Sequence, residues 1–529
     1  MMYDDVEWLI DCTPRPVQLE AMRRSFYGYA LYDGKDATPE KRQLYNRPVG
    51  MGGLLTEIGA HNGVPRTGPA VGWAHYLEMR LGKTPTVLNE YALLRKYYGV
   101  ERLIILSPNS YKLDWYNEIP KFGLGVPVLP YETSDKKATV DFLRANKGEF
   151  AVVLNYEGTI QAHTQAFLEE MLNGESMLVL DESIRVKNPQ ALSTNAVHVA
   201  SLGAKWVREL SGLPMTQGPQ DLFSQFRTMR AVPGSSFYSF RNTFCKMGGF
   251  KNKKVVGARN EEALQNLIRS TSFVAKRKDW TTVTVPEYYT VSISLSKEQQ
   301  AYYDEMNKNF IVELDAGKTV SASQVVTQMM KLQQISSGFL YGDNKEAIEI
   351  VPPEKTSKMV KLLEMLEDEI EGKVVVPFHY TKSGEALLRA LEKYSPAVIW
   401  SQEKMTKMEL DAITEKKKFN TGQNGCRVIL VQISAGKYGH DLSGVKGDRT
   451  SYMFFYENTW SLDDRGQIEA RITVGDGQDW PTVYMDFVSS KVEAKPIEAL
   501  QKKENLVSAI LGAFNPGKTR DSGTYDFRI

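Results

Sequence analysis

The sequence of 529 residues has few of the residues that build disulfide frameworks and metal centres. It contains six histidines and three cysteines, Cys12, Cys245 and Cys426. The cysteines are far apart, odd in number and form no CxxC pair, so we expect neither a disulfide scaffold nor a zinc site, and a reducing cytosol is the simplest setting. No histidines stand at metal-ligand spacing, which argues against a metal-centred hydrolase and against a metal cluster.

Long apolar runs and an excess of charge of one sign are also missing. No apolar run approaches the ~20 residues that span a bilayer, and residues 1–5 are acidic where a secretory signal would be basic. We therefore expect a cytoplasmic protein with no membrane partner. The net charge is +1, so a nucleic-acid site would have to be a local patch rather than a global basic field.

Short apolar runs recur along the chain and predict buried parallel strands. They lie at residues 103–106, 151–154, 177–180, 373–376 and 428–431. Each is rich in Leu or β-branched residues and is followed by polar or turn residues, which is typical of strands buried on both faces. Helical patterns lie between them, and strand alternating with helix indicates an α/β protein with parallel sheets.

The strand runs form two groups, which predicts two α/β lobes with helical insertions between them. At ~150 residues per domain, this length fits two to four domains. The predicted parts are a first lobe at 1–285, with an irregular insertion at 31–70 and a helical protrusion at 218–275, a helical linker at 286–350, a second lobe at 351–512, and a flexible tail at 513–529.

Residues 77–84 contain a partial phosphate-binding loop ahead of a helical pattern. Gly82 would let the backbone approach phosphates, Lys83 would reach the β- and γ-phosphates, and Thr84 would hold Mg²⁺. The first glycine of G-x-x-x-x-G-K-T falls on Leu77. Taken alone, G-K-T is a weak signal, because chance or a turn at a helix start would also explain it.

A second segment strengthens the prediction of a nucleotide site because of its position after the loop. Asp181 and Glu182 end the apolar run at 177–180. Asp181 would bind Mg²⁺ through water, and Glu182 would polarise an attacking water. The alternative is a solvated acidic pair at a strand end. The order, with G-K-T first and a strand ending in Asp-Glu about 100 residues later, favours a nucleotide hydrolase.

These segments resemble motifs of the Swi/Snf-type superfamily-two ATPases. Residues 78–84 (E-M-R-L-G-K-T) are similar to E-M-G-L-G-K-T of that family, 181–188 (D-E-S-I-R-V-K-N) to D-E-A-H-R-I-K-N, 211–214 (S-G-L-P) to T-G-T-P, 14–18 (P-R-P-V-Q) to R-P-Y-Q, and 106–108 (L-S-P) to the C-P motif. Trp115 and Glu118 fall where the family has N-W-x-x-E.

The resemblance continues into the second half of the chain. Residues 434–442 (S-A-G-K-Y-G-H-D-L) resemble A-G-G-x-G-x-N-L, 467–471 (Q-I-E-A-R) resemble Q-x-x-x-R, 276–278 (K-R-K) stand where the family has R-R-x-K, and 332–335 (L-Q-Q-I) where it has L-R-Q-I. The compact chain looks like small viral or bacterial members, which implies the cytoplasm of a bacterial cell or of a phage-infected host.

The resemblance implies two tandem RecA-like lobes with ATP and Mg²⁺ bound between them and DNA, duplex or branched, across both. The implied residues are Lys83, Glu182 and Arg471 for catalysis, Gln18, Leu81, Gly82, Lys83 and Thr84 for ATP binding, Thr84 and Asp181 for Mg²⁺, and Ser211, Gly212, Ser434 and Gly436 for coupling to DNA. It implies a DNA translocase that acts in phage-type replication, recombination or repair.

Three positions depart from the family pattern, and a fourth residue could compensate for one of them. Arg80 replaces a glycine, and Ile184 replaces the histidine of D-E-A-H, whose hydrogen bond to the DNA-coupling motif it cannot make. A second family arginine falls on Val474, so Arg471 would act alone or with Arg465 as a substitute. These departures favour ATP binding over fast hydrolysis.

Three other functions stay open. One is a strand-separating or branch-migrating helicase. Another is an ATP-regulated nucleic-acid-binding scaffold with weak turnover, which Ile184 and Val474 motivate. A third possibility is an RNA substrate, which the composition does not exclude.

Several residues have both a purely structural and a functional interpretation. The basic run 276–278 is either a solvated surface or a phosphate contact, and the run 416–418 fits an exposed helix face. His440 fits a turn, and Trp460 fits packing better than base stacking. The Phe and Tyr residues at 237–250 could form a small core or a DNA-facing patch.

Overall fold

The computed structural model describes residues 6–27, 69–132, 134–172, 174–232, 234–248, 254–282, 284–315, 322–342, 344, 346–400, 405–436, 441–474 and 477–512. Nearly all of the predicted insertion at 31–70, His440 and the tail at 513–529 lie outside these residues. The chain divides into two compact units. Of the described residues, one unit comprises those up to Thr281 together with 503–512, and the other comprises those from Thr282 to Lys502.

The first unit is built on a parallel sheet. Its strands are β1 (Gly72–Leu77), β2 (Arg102–Ser107), β3 (Val128–Pro130), β4 (Phe150–Asn155), β5 (Ser176–Asp181), β6 (Trp206–Leu210), β7 (Cys245–Gly248), β8 (Lys254–Ala258) and β9 (Ser272–Ala275). The sheet order is β3-β4-β2-β5-β6-β1-β9, with every described pair parallel, while β7 and β8 form an antiparallel hairpin. The predicted runs at 103–106, 151–154 and 177–180 are confirmed as parts of β2, β4 and β5.

Helices cover both faces of this sheet. The described α-helices of the first unit are Pro16–Tyr27, Lys83–Tyr98, Lys112–Lys121, Lys136–Ala145, Ala162–Met171, Leu192–Gly203, Leu222–Thr228, Phe237–Phe244, Glu261–Thr271 and Arg277–Trp280. Successive side chains of a strand point to opposite faces. Leu103 and Ile105 accordingly pack into one core and Ile104 into the other, which is why the strand sequence is an unbroken apolar run.

The second unit contains a second parallel sheet. Its strands are β10 (Glu287–Ser292), β11 (Phe339–Tyr341), β12 (Ala347–Glu349), β13 (Lys373–Phe378), β14 (Ala397–Ile399), β15 (Val428–Gln432), β16 (Gly444–Val445), β17 (Asp448–Phe455) and β18 (Val483–Val488). The order is β10-β18-β17-β13-β15-β14, with β16 antiparallel to β17 and β11 paired with β12. The predicted runs at 373–376 and 428–431 are confirmed within β13 and β15.

The helices of the second unit include two long ones in the predicted linker. The α-helices are Lys297–Asp315, Ala322–Ser336, Ser357–Glu364, Thr381–Ala390, Met405–Thr421, Ile433–Gly436, Leu462–Glu469 and Lys491–Gly512, and a π-helix at Met365–Glu369 prolongs the third. Among the described residues, no helix combines the length and the apolar character that crossing a bilayer requires.

Two segments expected to be helical also contain strands. The predicted linker at 286–350 contributes β10 to the second sheet, where it pairs with β18. The predicted protrusion at 218–275 contains the β7–β8 hairpin and ends in β9, which pairs with β1. Most residues of β10 are exposed or half-buried, so it lacks the apolar run by which the other strands were recognised. The α/β fold class with two helix-flanked parallel sheets is confirmed.

Candidate functional site

The predicted phosphate loop lies between a strand and a helix. β1 ends at Leu77 and the next helix begins at Lys83, which is the strand–loop–helix context that a phosphate-binding loop requires. Arg80 has φ 70° and Gly82 has φ 86°, so both adopt the left-handed conformation. The glycine that Arg80 replaces in the family would adopt it without the roughly 1–2 kcal/mol cost of an L-residue.

Two side chains from the start of the chain hold this loop. Arg15 Nη1 donates to the Arg80 carbonyl oxygen at 2.7 Å, and Gln18 Nε2 donates to the Gly82 carbonyl oxygen at 3.2 Å. A Cβ placed on Gly82 would lie 2.2 Å from Gln18 Nε2. Gln18 therefore lies against the loop glycine, and its contact with adenine remains a prediction.

Leu81 and Glu78 anchor the loop to the body of the first unit. The Leu81 side chain is buried with Leu77 in a small core, so any contact of Leu81 with a nucleotide would come from its backbone. The Glu78 carboxylate accepts a hydrogen bond from the Arg277 amide at 2.7 Å, and Arg277 is buried. The basic run at 276–278 is thus attached to the loop through Arg277, which a freely solvated run would not be.

Lys83 and Glu182 meet at the end of the loop. Lys83 Nζ lies 3.1 Å from Glu182 Oε1. Burial alone would lower the pKa of Lys83, but the carboxylates of Glu182 and Asp181 outweigh it and raise that pKa. The sheet order places β5 beside β6 and β6 beside β1, so the ends of these strands bring the two sequence segments together.

Asp181 is buried at the end of β5 and is held at both carboxylate oxygens. Oδ1 accepts from the Glu182 amide at 3.0 Å, and Oδ2 accepts from Trp115 Nε1 at 2.9 Å. Burial, together with the neighbouring Glu182 charge, raises the pKa of Asp181 to about 7, against the opposing effects of Lys83 and Trp115. Excess negative charge in such a buried place favours a bound cation.

Glu182 has a left-handed backbone with φ 51° and ψ 57°. Non-glycine residues in this region cost of order 1–3 kcal/mol and cluster at active sites. The side chain is also buried. A buried, strained glutamate bonded to the loop lysine is consistent with the catalytic role that the resemblance implies.

Trp115 and Glu118 match a family motif in the sequence, but they were not predicted to be part of the ATP site. Both lie on the helix Lys112–Lys121, three residues apart and hence on one face. Trp115 bonds Asp181, and the Glu118 carboxylate shares a hydrogen bond with Thr84. Burial raises the pKa of Glu118. Each residue therefore contacts one of the two predicted Mg²⁺ ligands.

Thr84 and Asp181 suit Mg²⁺ chemically. Mg²⁺ is commonly held by one or two protein oxygens together with substrate phosphates and water. Within the described ranges, no group of three or more His, Cys, Asp or Glu side chains could hold a metal. A hydroxyl and an oriented carboxylate beside the phosphate loop fit the first pattern, and they would hold Mg²⁺ only together with a nucleotide.

The segment 211–214 lies against the phosphate loop. The Ser211 amide donates to the His75 carbonyl oxygen at 3.4 Å, and Ser211 Oγ accepts from the Leu213 amide at 3.2 Å. A Cβ on Gly212 would lie 3.4 Å from the Met79 backbone nitrogen. Of the residues predicted to couple to DNA, Gly212 therefore lies against the predicted ATP-binding loop, and Ser211 is bonded to the strand that precedes the loop.

Two motifs also meet within the second unit. Ser434, which is exposed, and Gly436 lie in the short helix that follows β15. The Leu442 amide donates to the Arg471 carbonyl oxygen at 2.9 Å. Arg471 is buried in a short 3₁₀ turn, Ala470–Ile472. Its role in hydrolysis remains a prediction.

Arg465 is unsuited to substitute for a missing arginine. Its guanidinium bonds Asp486 and Glu469, and it donates to Asn458 Oδ1 at 2.6 Å. It also lies 3.4 Å from the ring centroid of Phe455. A guanidinium held by two carboxylates in the interior serves the fold, so it would have to break these ion pairs to approach a phosphate.

The open interpretations of the aromatic and basic residues are partly resolved. Phe240 and Phe244 are buried and pack against each other, and Phe240 also packs against Phe223 and Phe226, so the described part of the region at 237–250 contains a small core. Lys418 Nζ donates to the Pro396 carbonyl oxygen at 3.0 Å.

Comparison with known families identifies the segment that contains these motifs. A family model described as SNF2-related domain matches residues 75–338. The chain is 23% identical over 422 residues to putative protein p41 of Acyrthosiphon pisum secondary endosymbiont phage 1, an alignment that covers 74% of this chain and 83% of that protein.

Two relatives are named as DNA repair proteins. DNA repair protein rad5 of Neurospora crassa is 29% identical over 167 residues, which cover 30% of this chain and 13% of that protein. DNA repair protein RAD5 of Yarrowia lipolytica is 23% identical over 288 residues, covering 49% of this chain and 27% of that protein. The aligned part is therefore a minor fraction of both repair proteins.

Two solved structures are similar to this chain at low sequence identity. The Sulfolobus solfataricus SWI2/SNF2 ATPase core in complex with dsDNA is 17% identical, covers 96% of each chain and has a TM-score of 0.37. The Sulfolobus solfataricus SWI2/SNF2 ATPase core domain is also 17% identical, covers 96% of this chain and 93% of that chain, and has a TM-score of 0.38. The family assignment rests on the match to the SNF2-related domain and on the motif geometry: the chain belongs to the Swi/Snf-type superfamily-two family of ATPases.

Proposed function

We propose that this chain is a DNA-dependent ATPase that moves along or remodels DNA in phage-type replication, recombination or repair. The observation that carries the proposal is the convergence of Lys83, Asp181 and Glu182 at one edge of the first sheet. The segment 211–214, which in the family couples the nucleotide to DNA, contacts the same loop.

The chemistry follows from the positions of these side chains. The phosphates would bind at the N-terminus of the helix that starts at Lys83, where backbone N–H groups favour negative charge. Thr84 and Asp181 would hold Mg²⁺, which supplies charge neutralisation on the phosphates. Glu182 would release Lys83 to the phosphates and orient the attacking water.

DNA is the favoured partner on three grounds. Gly212 lies at the loop, Ser434 is exposed at a strand end in the second unit, and the repair proteins among the relatives are named for DNA. Contacts from Ser hydroxyls and backbone amides would be mainly to phosphates, which bind DNA without reading its sequence.

A titration of ATP turnover tests this proposal. Purified protein is assayed with duplex, single-stranded and branched DNA and with RNA, beside Lys83→Ala as the control. We expect duplex or branched DNA to raise the turnover rate and Lys83→Ala to abolish it. The proposal is contradicted if only RNA raises the turnover rate, or if no nucleic acid raises it.

Two alternatives have their own tests. Unwinding of a forked duplex would identify a strand-separating or branch-migrating helicase, whereas displacement of a triplex strand without unwinding would identify a translocase. The buried apolar Ile184 favours the second alternative, an ATP-regulated scaffold with weak turnover. That alternative gains if Lys83→Ala leaves the biological activity intact, and it loses if Glu182→Gln binds ATP but abolishes activity.

A further inference from the structure

The turn after the catalytic glutamate carries a polar contact that the family motif does not predict. Ile184, in place of the family histidine, is buried and cannot hydrogen-bond. The preceding residue, Ser183, follows Glu182 directly and is fully buried. Its hydroxyl donates to Gln225 Oε1 at 2.8 Å, and Gln225 is also fully buried. A hydrogen-bonding side chain is thus present one position before the missing one.

Gln225 extends this contact to the segment 211–214. Its Nε2 donates to the Pro214 carbonyl oxygen at 2.8 Å and to the Asp221 carbonyl oxygen at 2.8 Å. Both acceptors are carbonyls, so the NH₂ group must face them and the amide oxygen must face Ser183. One side chain therefore joins the turn after Glu182 to the last residue of the segment.

A second contact joins the same two parts of the first unit. Lys187 Nζ donates to Thr216 Oγ1 at 2.9 Å. Asp221 Oδ2 accepts from the Thr216 amide at 2.8 Å and from the Gln217 amide at 2.8 Å. The residues that follow Pro214 are held in a fixed turn, so a displacement of the Ser183 turn cannot be absorbed there.

Because both side chains are buried, the Ser183–Gln225 hydrogen bond ties the position of one residue to that of the other. A buried polar group that loses its partner is costly, because no water replaces the lost bond. Glu182 has a left-handed backbone, a conformation that is retained only where the surroundings enforce it. If the Glu182 backbone shifts on ATP binding or hydrolysis, Ser183 would move with it, and Gln225 would pass the movement to Pro214.

We propose that Ser183 and Gln225 are positioning residues that couple the ATP site to the DNA-contacting segment, in place of the absent histidine. The proposal rests on the proposed function, since it assumes that DNA stimulates ATP hydrolysis. Neither residue belongs to the predicted phosphate-binding loop at 77–84. They act through Glu182 on one side and Pro214 on the other.

The test compares Ser183→Ala, Gln225→Met and the double variant with wild type. Ser224→Ala is the matched control, because Ser224 Oγ lies on the same helix, is buried, and has no hydrogen-bond partner among the described residues. The readouts are the ratio of ATP turnover with and without duplex DNA, and the change in DNA affinity that a non-hydrolysable ATP analogue produces. The second readout measures the linkage between ATP binding and DNA binding, which would stay unchanged if Ser183 and Gln225 only stabilised the fold.

We expect each single variant to lower the stimulation ratio and the linkage by about 5-fold or more. Turnover without DNA and the affinity for each ligand alone should change by less than about 2-fold, because the reacting groups are untouched. The double variant should be no worse than either single variant, since both changes break one link. Ser224→Ala should match wild type.

Three results overturn the inference. One is a stimulation ratio in Ser183→Ala and Gln225→Met that equals the wild-type ratio. Another is an equal loss in Ser224→Ala, which would indicate general loosening of the helix. The third is additive losses in the double variant. If wild type itself is not stimulated by DNA, the proposed function fails as well, and this outcome is distinguished by the wild-type measurement alone.

Discussion

At the scale of single residues, the candidate site combines side chains that the sequence identifies with contacts that it does not. Lys83, Asp181 and Glu182 follow from motif order, because phosphate binding and water activation require these residue types after a strand. The bond from Trp115 to Asp181 joins residues separated by 66 positions. Nothing local in the sequence specifies such a contact, since it depends on how the helix Lys112–Lys121 packs on the sheet.

The Trp115 contact gives a prediction for metal-dependent nucleotide binding. Trp115→Phe keeps the aromatic ring but removes the N–H donor from Asp181 Oδ2. A residue that orients a metal ligand typically contributes about 10-fold or more to metal affinity. We expect the affinity for ATP in the presence of Mg²⁺ to fall by about 10-fold, while the affinity measured without Mg²⁺ stays unchanged. Titration with a fluorescent ATP analogue, with and without Mg²⁺, measures both values, and an equal loss in the two conditions would contradict the assignment.

The left-handed backbone at Arg80 gives a second prediction. Arg80→Gly and Arg80→Val both remove the arginine side chain, so their comparison isolates the backbone. A β-branched residue is a genuine outlier at φ 70°. We expect the free energy of unfolding of the glycine variant to exceed that of the valine variant by about 1–2 kcal/mol. Urea denaturation of both variants measures this, and equal stabilities would show that the loop tolerates the strain.

At the scale of secondary structure, the apolar strands were predictable and the charged strand β6 was not. β6 contains Arg208 and Glu209, both fully buried, and its sequence lacks an apolar run. Arg208 Nε pairs with the Glu90 carboxylate at 2.8 Å, and His75 Nε2 lies 2.7 Å from the same carboxylate. Burial would raise the pKa of Glu90, but Arg208 and His75 outweigh it and lower that pKa to about 2. Tertiary partners thus make a charged sequence a core strand.

Glu209 in β6 gives a prediction about stability and pH. Burial raises its pKa well above the ordinary value of 4.5. The unfolded chain therefore ionises Glu209 above that pH while the folded chain keeps it protonated, so folded stability falls as pH rises. Glu209→Gln removes this titration. Its advantage over wild type should grow by up to about 1.4 kcal/mol per pH unit until the folded pKa is reached.

Urea denaturation of wild type and Glu209→Gln at about pH 5, 6 and 7 measures this difference. The amide keeps the size of the carboxylic acid and can still bond Tyr76, whose hydroxyl lies 3.5 Å from Glu209 Oε2. A difference between the two proteins that does not vary with pH would show that Glu209 ionises alike in the folded and unfolded chains.

At the scale of the whole chain, the two-sheet organisation was predictable because each sheet contains unbroken apolar runs. The boundaries between the domains were less predictable from the sequence. The first compact unit ends at Thr281 and the second begins at Thr282, and β10 belongs to the second sheet rather than to a helical linker. The domain limits given from the sequence therefore remain proposals, whereas the motif order across both units rests on the residues themselves.

The central claim is that DNA controls ATP hydrolysis by this chain. Its most direct test is the steady-state ATP turnover rate of the wild-type protein as duplex DNA is added at saturating ATP and Mg²⁺, with Glu182→Gln as the inactive reference. We predict a saturable rise in the wild-type rate that weakens with added salt, because phosphate contacts release counterions, and no turnover in Glu182→Gln. A wild-type rate that stays flat at every DNA concentration would contradict the account.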